Sequence, residues 1–82
     1  MPATRLTLYG RRYCHLCDEM LAALEHLRGE FEFDVEVMDV DSDPLLEQRF
    51  DTQVPVLMHA DTELCHYHLD DGKVRAYLVK IR

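Results

Sequence analysis

The chain has 82 residues, of which 48% are apolar, and nine Lys plus Arg stand against sixteen Asp plus Glu, a formal charge of −7. A chain of that length holds one domain able to bury its own core, and the apolar fraction excludes a disordered polymer. The negative charge repels phosphate backbones and anionic lipid headgroups, which excludes nucleic acid and membrane surfaces as partners.

At the N-terminus, MPATRLTLYGRRY contains no unbroken apolar run and no small-residue cleavage site, and no later run is long enough to span a bilayer. A cytoplasmic, soluble, monomeric protein with a single domain over residues 1–82 is the expectation. Arg5 to Gly10 (RLTLYG) is rich in β-formers and reads as a strand. From Cys14 the period changes: Cys17, Met20, Leu21, Leu24 and Leu27 recur at helical spacing, and Gly29 stands where a helix-ending glycine is expected. Phe31 to Val37 (FEFDVEV) alternates, with Phe31, Phe33, Val35 and Val37 on one face of a second strand. Asp43 can cap a short helix whose first position is Pro44, where a missing N–H costs nothing. VPVLMH (54–59) reads as a strand opening on proline, ADTE (60–63) as a turn, and LCHYHL (64–69) as a returning strand. From Asp70 onward, Val74, Tyr77, Leu78 and Ile81 give a closing amphipathic helix, with Gly72 in its first turn.

The order is β-α-β-α-β-β-α. The opening βαβ unit implies a right-handed crossover between parallel strands, and the final hairpin must be antiparallel. An α/β protein follows, with a four-stranded mixed sheet and helices on both of its faces.

The chemistry concentrates in Cys14-His15-Leu16-Cys17. Cys14, Cys17 and Cys65 make an odd count, which argues against a secreted disulfide scaffold; in a reducing compartment a close pair is catalytic or metal-binding more often than structural. Residues three apart share one side of a helix, so modest local adjustment permits a disulfide. The attacking species must be a thiolate, and Cys14, at the helix N-terminus, faces unpaired N–H groups and the positive end of the dipole. A lowered thiol pKa is therefore expected for Cys14. Arg11 and Arg12 add positive potential and attract an anionic substrate carboxylate, or are merely solvated, whereas Asp18 and Glu19 oppose that potential. A charged His15 would favour a neighbouring thiolate; the plainer alternative is a solvated polar residue. Tyr13 can stack beside a substrate or simply pack.

Cys65, with Tyr67 and Leu69 on its strand face, reads as a small buried hydrophobe, and Asp70 as the cap of the last helix. His59, His66 and His68 raise the rival possibility of a zinc module. Structural zinc needs four convergent ligands, however, and this spacing offers one sulfur pair, so no metal is expected. A cluster of iron and sulfide bridged between two subunits would require glutathione or further thiols. A third class is an adaptor without catalysis that binds partners through Val54-Pro55.

A strand entering C-x-x-C at the first turn of a helix, followed by Val54-Pro55 at the start of a later strand, resembles the thioredoxin superfamily. The element order resembles its glutaredoxin branch, and YCHLCDEM with VPVL is similar to a group of small glutaredoxin-like proteins. The resemblance covers nearly the whole chain. It implies a thioredoxin fold and a thiol-disulfide oxidoreductase in which Cys14 is the exposed nucleophile, Cys17 the resolving thiol, and Pro55 a cis residue facing the pair. Read from the residues themselves, Arg12, Tyr13, Val54 and Pro55 are the expected substrate contacts. The chain departs from the usual pattern in two places: C-P-Y-C is C-H-L-C, and YHLDDG replaces the Gly-Gly-x-Asp segment that grips glutathione. No bound cofactor is expected. The substrate would be a disulfide-bearing protein or small thiol, with glutathione or a flavoprotein reductase supplying electrons.

Overall fold

Leu6 and Leu8 alternate with Arg5, Thr7 and Tyr9 along β1 (Arg5–Gly10), and both leucines are fully buried on one side of the strand. The structure, a computed structural model, describes residues 4–81. Met1 to Ala3, the start of the N-terminal stretch read above as lacking a leader, and Arg82 lie outside them. β1 pairs in parallel with β2 (Asp34–Asp39) from Arg5 against Asp34 to Gly10 against Asp39. On its other side it pairs antiparallel with β3 (Val56–His59), and β4 (Thr62–His66) closes the sheet in the order β2-β1-β3-β4. The α/β architecture, with a four-stranded mixed sheet, stands as expected.

The crossover helix α1 (His15–Leu27) and the closing helix α3 (Asp71–Ile81) cover one face. Met20, Leu24 and Leu27 of α1 and Val74 and Leu78 of α3 pack there on Leu6, Leu8, Leu57 and Leu64. On the opposite face, a 3-10 turn (Val40–Ser42) leads into α2 (Pro44–Phe50), where Asp43 Oδ1 accepts the Leu45 N–H at 2.9 Å and Pro44 opens the helix. Val40 and Phe50 bury against Val56 and Met58 there, with the Phe50 ring stacked on Tyr9 at 4.5 Å between centroids. Among the described residues, eleven buried ones make the first cluster and four the second. Since each buried aliphatic or aromatic side chain stabilises by about 1.5–3 kcal/mol, most of the apolar burial anchors the helix that carries the cysteine pair.

Several boundaries differ from expectation, each for a local reason. α1 does not end on a left-handed Gly29: no described glycine has a positive φ, and Arg28 caps the helix instead. The N–H groups of Glu30 and Phe31 both donate to the Leu27 carbonyl, so this turn absorbs residues expected in the ladder and β2 begins at Asp34. Phe33 still buries, but Val37, on the edge strand, is 57% exposed and does not share its burial. β3 begins at Val56, after Pro55, which has no N–H for the ladder. The hairpin turns tightly at Ala60-Asp61, with Ala60 at φ 52°, so Thr62 and Glu63 already belong to β4. A bulge lets both Leu64 and Cys65 bury, and Tyr67 at φ 65° turns the chain out of the sheet, removing Tyr67 and Leu69 from the strand face of Cys65. Asp70 caps α3: its Oδ1 accepts the Lys73 N–H and its carbonyl the Val74 N–H.

Candidate functional site

β1 ends at Gly10, and a four-residue loop carries the chain into α1. Tyr13, fully exposed at φ 56°, makes the left-handed turn, and Cys14 follows as the N-cap in extended conformation. The Cys14 sulfur accepts the Cys17 N–H at 3.1 Å and its carbonyl accepts the Asp18 N–H at 3.1 Å. One of the unpaired donors of the helix start therefore points at sulfur 14, the arrangement that favours a thiolate there once the pair is reduced. The two cysteines are joined as a disulfide, with their Cα atoms 5.1 Å apart. Cys14 is half-buried rather than exposed, because as N-cap its sulfur turns back toward the helix; Cys17 is 8% exposed.

Gly10 makes room for Cys17. A Cβ at that position would stand 2.9 Å from the Cys17 sulfur, a clash a disulfide-bonded side chain cannot readily relieve. Nothing in the spacing of the cysteines singled out this glycine.

The two arginines separate. Arg11 is not a solvated loop residue: its Nη2 donates to Asp51 Oδ1 at 2.9 Å and lies 3.6 Å from Asp41, pinning the loop to the far end of α2 and to the 3-10 turn. The hydrogen bond to Asp51 holds its guanidinium pKa above the ordinary value. Two carboxylates thus neutralise the positive potential Arg11 was expected to lend. Arg12 is exposed. His15 is also exposed, 3.4 Å from Glu19 one turn on.

Val54 and Pro55 reach the same end of the sheet, since Val56 pairs with Tyr9, the residue before Gly10. The Val54-Pro55 bond is cis, Pro55 is buried and Val54 half-buried. Tyr67 secures this segment from β4: its N–H donates to the Pro55 carbonyl at 2.9 Å and its hydroxyl to the Thr52 carbonyl at 2.8 Å. Sequence reasoning assigned Tyr67 to a strand face, and only its positive φ reveals the clamp. Beside the pair, a cleft of about 340 Å³ opens between α1 and β2, with Leu8, Leu21, Val37 and Cys17 in its walls and Arg12 and Asp18 among its polar groups.

Cys65 lies apart from this constellation. Burial pushes its thiol pKa up, against a smaller opposing effect of a hydrogen bond from the Asp70 backbone. His59 meets Tyr77 near the hairpin, remote from His66 and His68 on β4 and beyond it. Among the described residues, no three His, Cys, Asp or Glu side chains are gathered to hold a metal ion, and no helix is long and apolar enough to cross a membrane.

The model of the Glutaredoxin-like domain (DUF836) family matches residues 5–79. Protein Ne2328 from Nitrosomonas europaea, solved in solution, is 42% identical with a TM-score of 0.86, over 95% of this chain and 93% of that one. The X-ray structure of protein XcR50 from X. campestris is 35% identical with a TM-score of 0.74, over 94% of this chain and 99% of the other. Thioredoxin 1 from Thermosipho africanus TCF52B, 20% identical with a TM-score of 0.62 over 93% of this chain and 96% of its own, has the same fold. No curated protein matches the chain.

Proposed function

The chain belongs to the glutaredoxin-like domain family, and from that premise we propose that it is a thiol-disulfide oxidoreductase working through Cys14 and Cys17. The observation that carries the reading is the disulfide at the start of α1, whose outer sulfur receives a backbone N–H while the inner one is buried behind it. In the reduced protein the Cys14 thiolate attacks one sulfur of a substrate disulfide, forming a mixed disulfide as the other substrate sulfur leaves and takes a proton from water. Cys17 then gives up its proton and attacks sulfur 14. The second substrate thiolate departs and is protonated, and the Cys14-Cys17 bond forms. Two electrons have passed from protein to substrate. Two glutathione molecules, leaving as their disulfide, or a flavoprotein reductase restore the dithiol.

Arg12 and Tyr13 flank the nucleophile on the exposed side of the loop. Val54 precedes β3 and pairs with no strand residue, so its backbone groups are placed to receive an extended substrate segment, as an added strand would. Pro55, without an N–H, keeps the ladder from extending there.

Equilibration in graded glutathione redox buffers, with disulfides mapped by mass spectrometry, tests the assignment. A Cys14-Cys17 bridge forming and breaking at one potential supports it; zinc bound to the purified protein with no such bridge removes it.

A further inference from the structure

The cleft beside Cys17 shares Cys17 and Arg12 with the exchange steps above, but its aliphatic floor and its carboxylates take no part in them. Its floor is apolar: Leu8 from β1, Leu21 from α1 and Val37 from the edge strand β2, the last 57% exposed. An aliphatic groove of this kind, with the buried Cys17 in its wall, asks for a covering side chain.

Charge selects which one. The lining contains Arg11 and Arg12 against Asp18 and Asp39, but Arg11 is already committed to Asp41 and Asp51. What faces an incoming group is one guanidinium and two carboxylates, neither of which has a cation within ion-pair distance among the described residues. The wider field has the same sign. The chain carries −7, and residues 30–51, which include the strand forming the cleft's outer wall, hold nine acidic residues and one basic. Such a surface steers cationic partners inward and repels acidic ones.

The geometry points to this cleft as a docking subsite for a lysine or arginine side chain adjacent to the half-cystine of a protein substrate. The aliphatic stem lies across Leu21 and Val37 while the charged head meets Asp18 and Asp39, which satisfies both the apolar floor and the acidic rim with one residue. A purely apolar side chain would desolvate the carboxylates without compensation, and an acidic one would be repelled. The volume of about 340 Å³ accommodates a long side chain with its flanking backbone. This inference rests on the oxidoreductase reading and deepens it: the preferred substrates are disulfides in basic sequence.

The test uses three synthetic peptides of one sequence, each joined through its only cysteine to a thionitrobenzoate and differing in the next residue: lysine, serine or glutamate. Wild-type protein, the Asp18→Asn/Asp39→Asn double variant and Val37→Ser, each reduced beforehand and freed of reductant, are compared in single-turnover mixing, where release of the chromophore gives the half-saturating peptide concentration as KM and the limiting rate as kcat. For wild type, the lysine peptide should show a KM about threefold to tenfold below the serine peptide, the glutamate peptide a higher one, and kcat should hardly differ. The spread should collapse in the double variant, and Val37→Ser should raise the KM of the lysine peptide. Equal KM values in wild type, a preference for glutamate, or a spread that survives in the double variant overturns the docking inference. A neutral disulfide, bis(2-hydroxyethyl) disulfide, separates the two levels. Turnover of it without any peptide preference leaves the redox reading standing and the docking inference refuted; no turnover of it or of any peptide refutes both.

Discussion

Cys17 and Cys65 are equally buried, each 8% exposed, yet the molecule treats the two sulfurs in opposite ways. Cys17 sits in the first turn of α1, packed against the empty side of Gly10, with a second sulfur three residues earlier and a cleft along its flank. Cys65 sits in β4 opposite Leu57 beside a bulge, and is packed into the large apolar cluster. Burial does not tell the paired sulfur from the unpaired one. What separates them is the neighbourhood: the helix start sets beside Cys17 a partner sulfur that accepts the Cys17 N–H, while desolvation raises the pKa of Cys65 and leaves it protonated.

The sharpest way to break that contrast is to remove one sulfur at a time. Cys14→Ser should lower disulfide reductase turnover by more than about a hundredfold, the scale of loss that follows removal of a nucleophile, while serine, itself a good N-cap, keeps the fold. Cys17→Ser should instead let the mixed disulfide with substrate accumulate, visible as an adduct by mass spectrometry. If Cys14→Ser retains turnover, the assignment of the pair is wrong.

Next in size is Gly10→Ala. The new Cβ meets the Cys17 sulfur at 2.9 Å, so overpacking should destabilise the oxidised protein by about 1–3 kcal/mol, outweighing the roughly 0.4–1 kcal/mol gained from a stiffer unfolded chain. Urea denaturation of oxidised and reduced forms checks it. A smaller loss in the reduced protein, where sulfur 17 is free to turn, would locate the strain at the disulfide; an unchanged midpoint in both forms would contradict the packing argument.

These effects also mark where the sequence was informative. The order of elements was legible because each carries its own period: Leu6 and Leu8 in β1, Met20, Leu24 and Leu27 in α1, and Val74 and Leu78 in α3. Asp43 and Pro44 announced the start of α2, and C-x-x-C at a strand-helix junction announced the sulfur pair. The misplaced boundaries depend on conformations the residue type disfavours, such as the left-handed Tyr67 that ends β4, or on hydrogen bonds outside the local pattern, such as Phe31 N–H to Leu27. The supporting residues of the site were hidden for a different reason. Arg11 finds Asp51 forty residues away and Gly10 faces Cys17 across the strand-helix junction, and such pairings exist only once the chain has folded.

On the Cys65 side the expected effects are smaller. Cys65→Ala removes one buried sulfur from the apolar cluster and should lower stability by roughly 1 kcal/mol, with the redox behaviour of the Cys14-Cys17 pair unchanged. A comparable change in the redox potential of the pair would show that the two regions are coupled and that the contrast drawn above is false.

The smallest effect concerns pH. In the oxidised protein Cys65 is the free thiol, so its titration can be followed without interference from the pair. Burial raises its pKa above the ordinary 9.0, which means that the folded chain holds the proton more tightly than the unfolded chain does. Stability from this group is fully present below pH 9 and is lost as pH climbs above 9 through the raised value, because the unfolded thiol ionises first. Cys65→Ala abolishes that loss. Urea midpoints of the oxidised wild-type and Cys65→Ala proteins, measured on both sides of pH 9, should therefore converge as pH rises, the wild type surrendering its advantage. Curves that stay parallel across that range would mean the thiol ionises as easily folded as unfolded. Cys65 would then be an accessible sulfur and no longer the counterexample to Cys17.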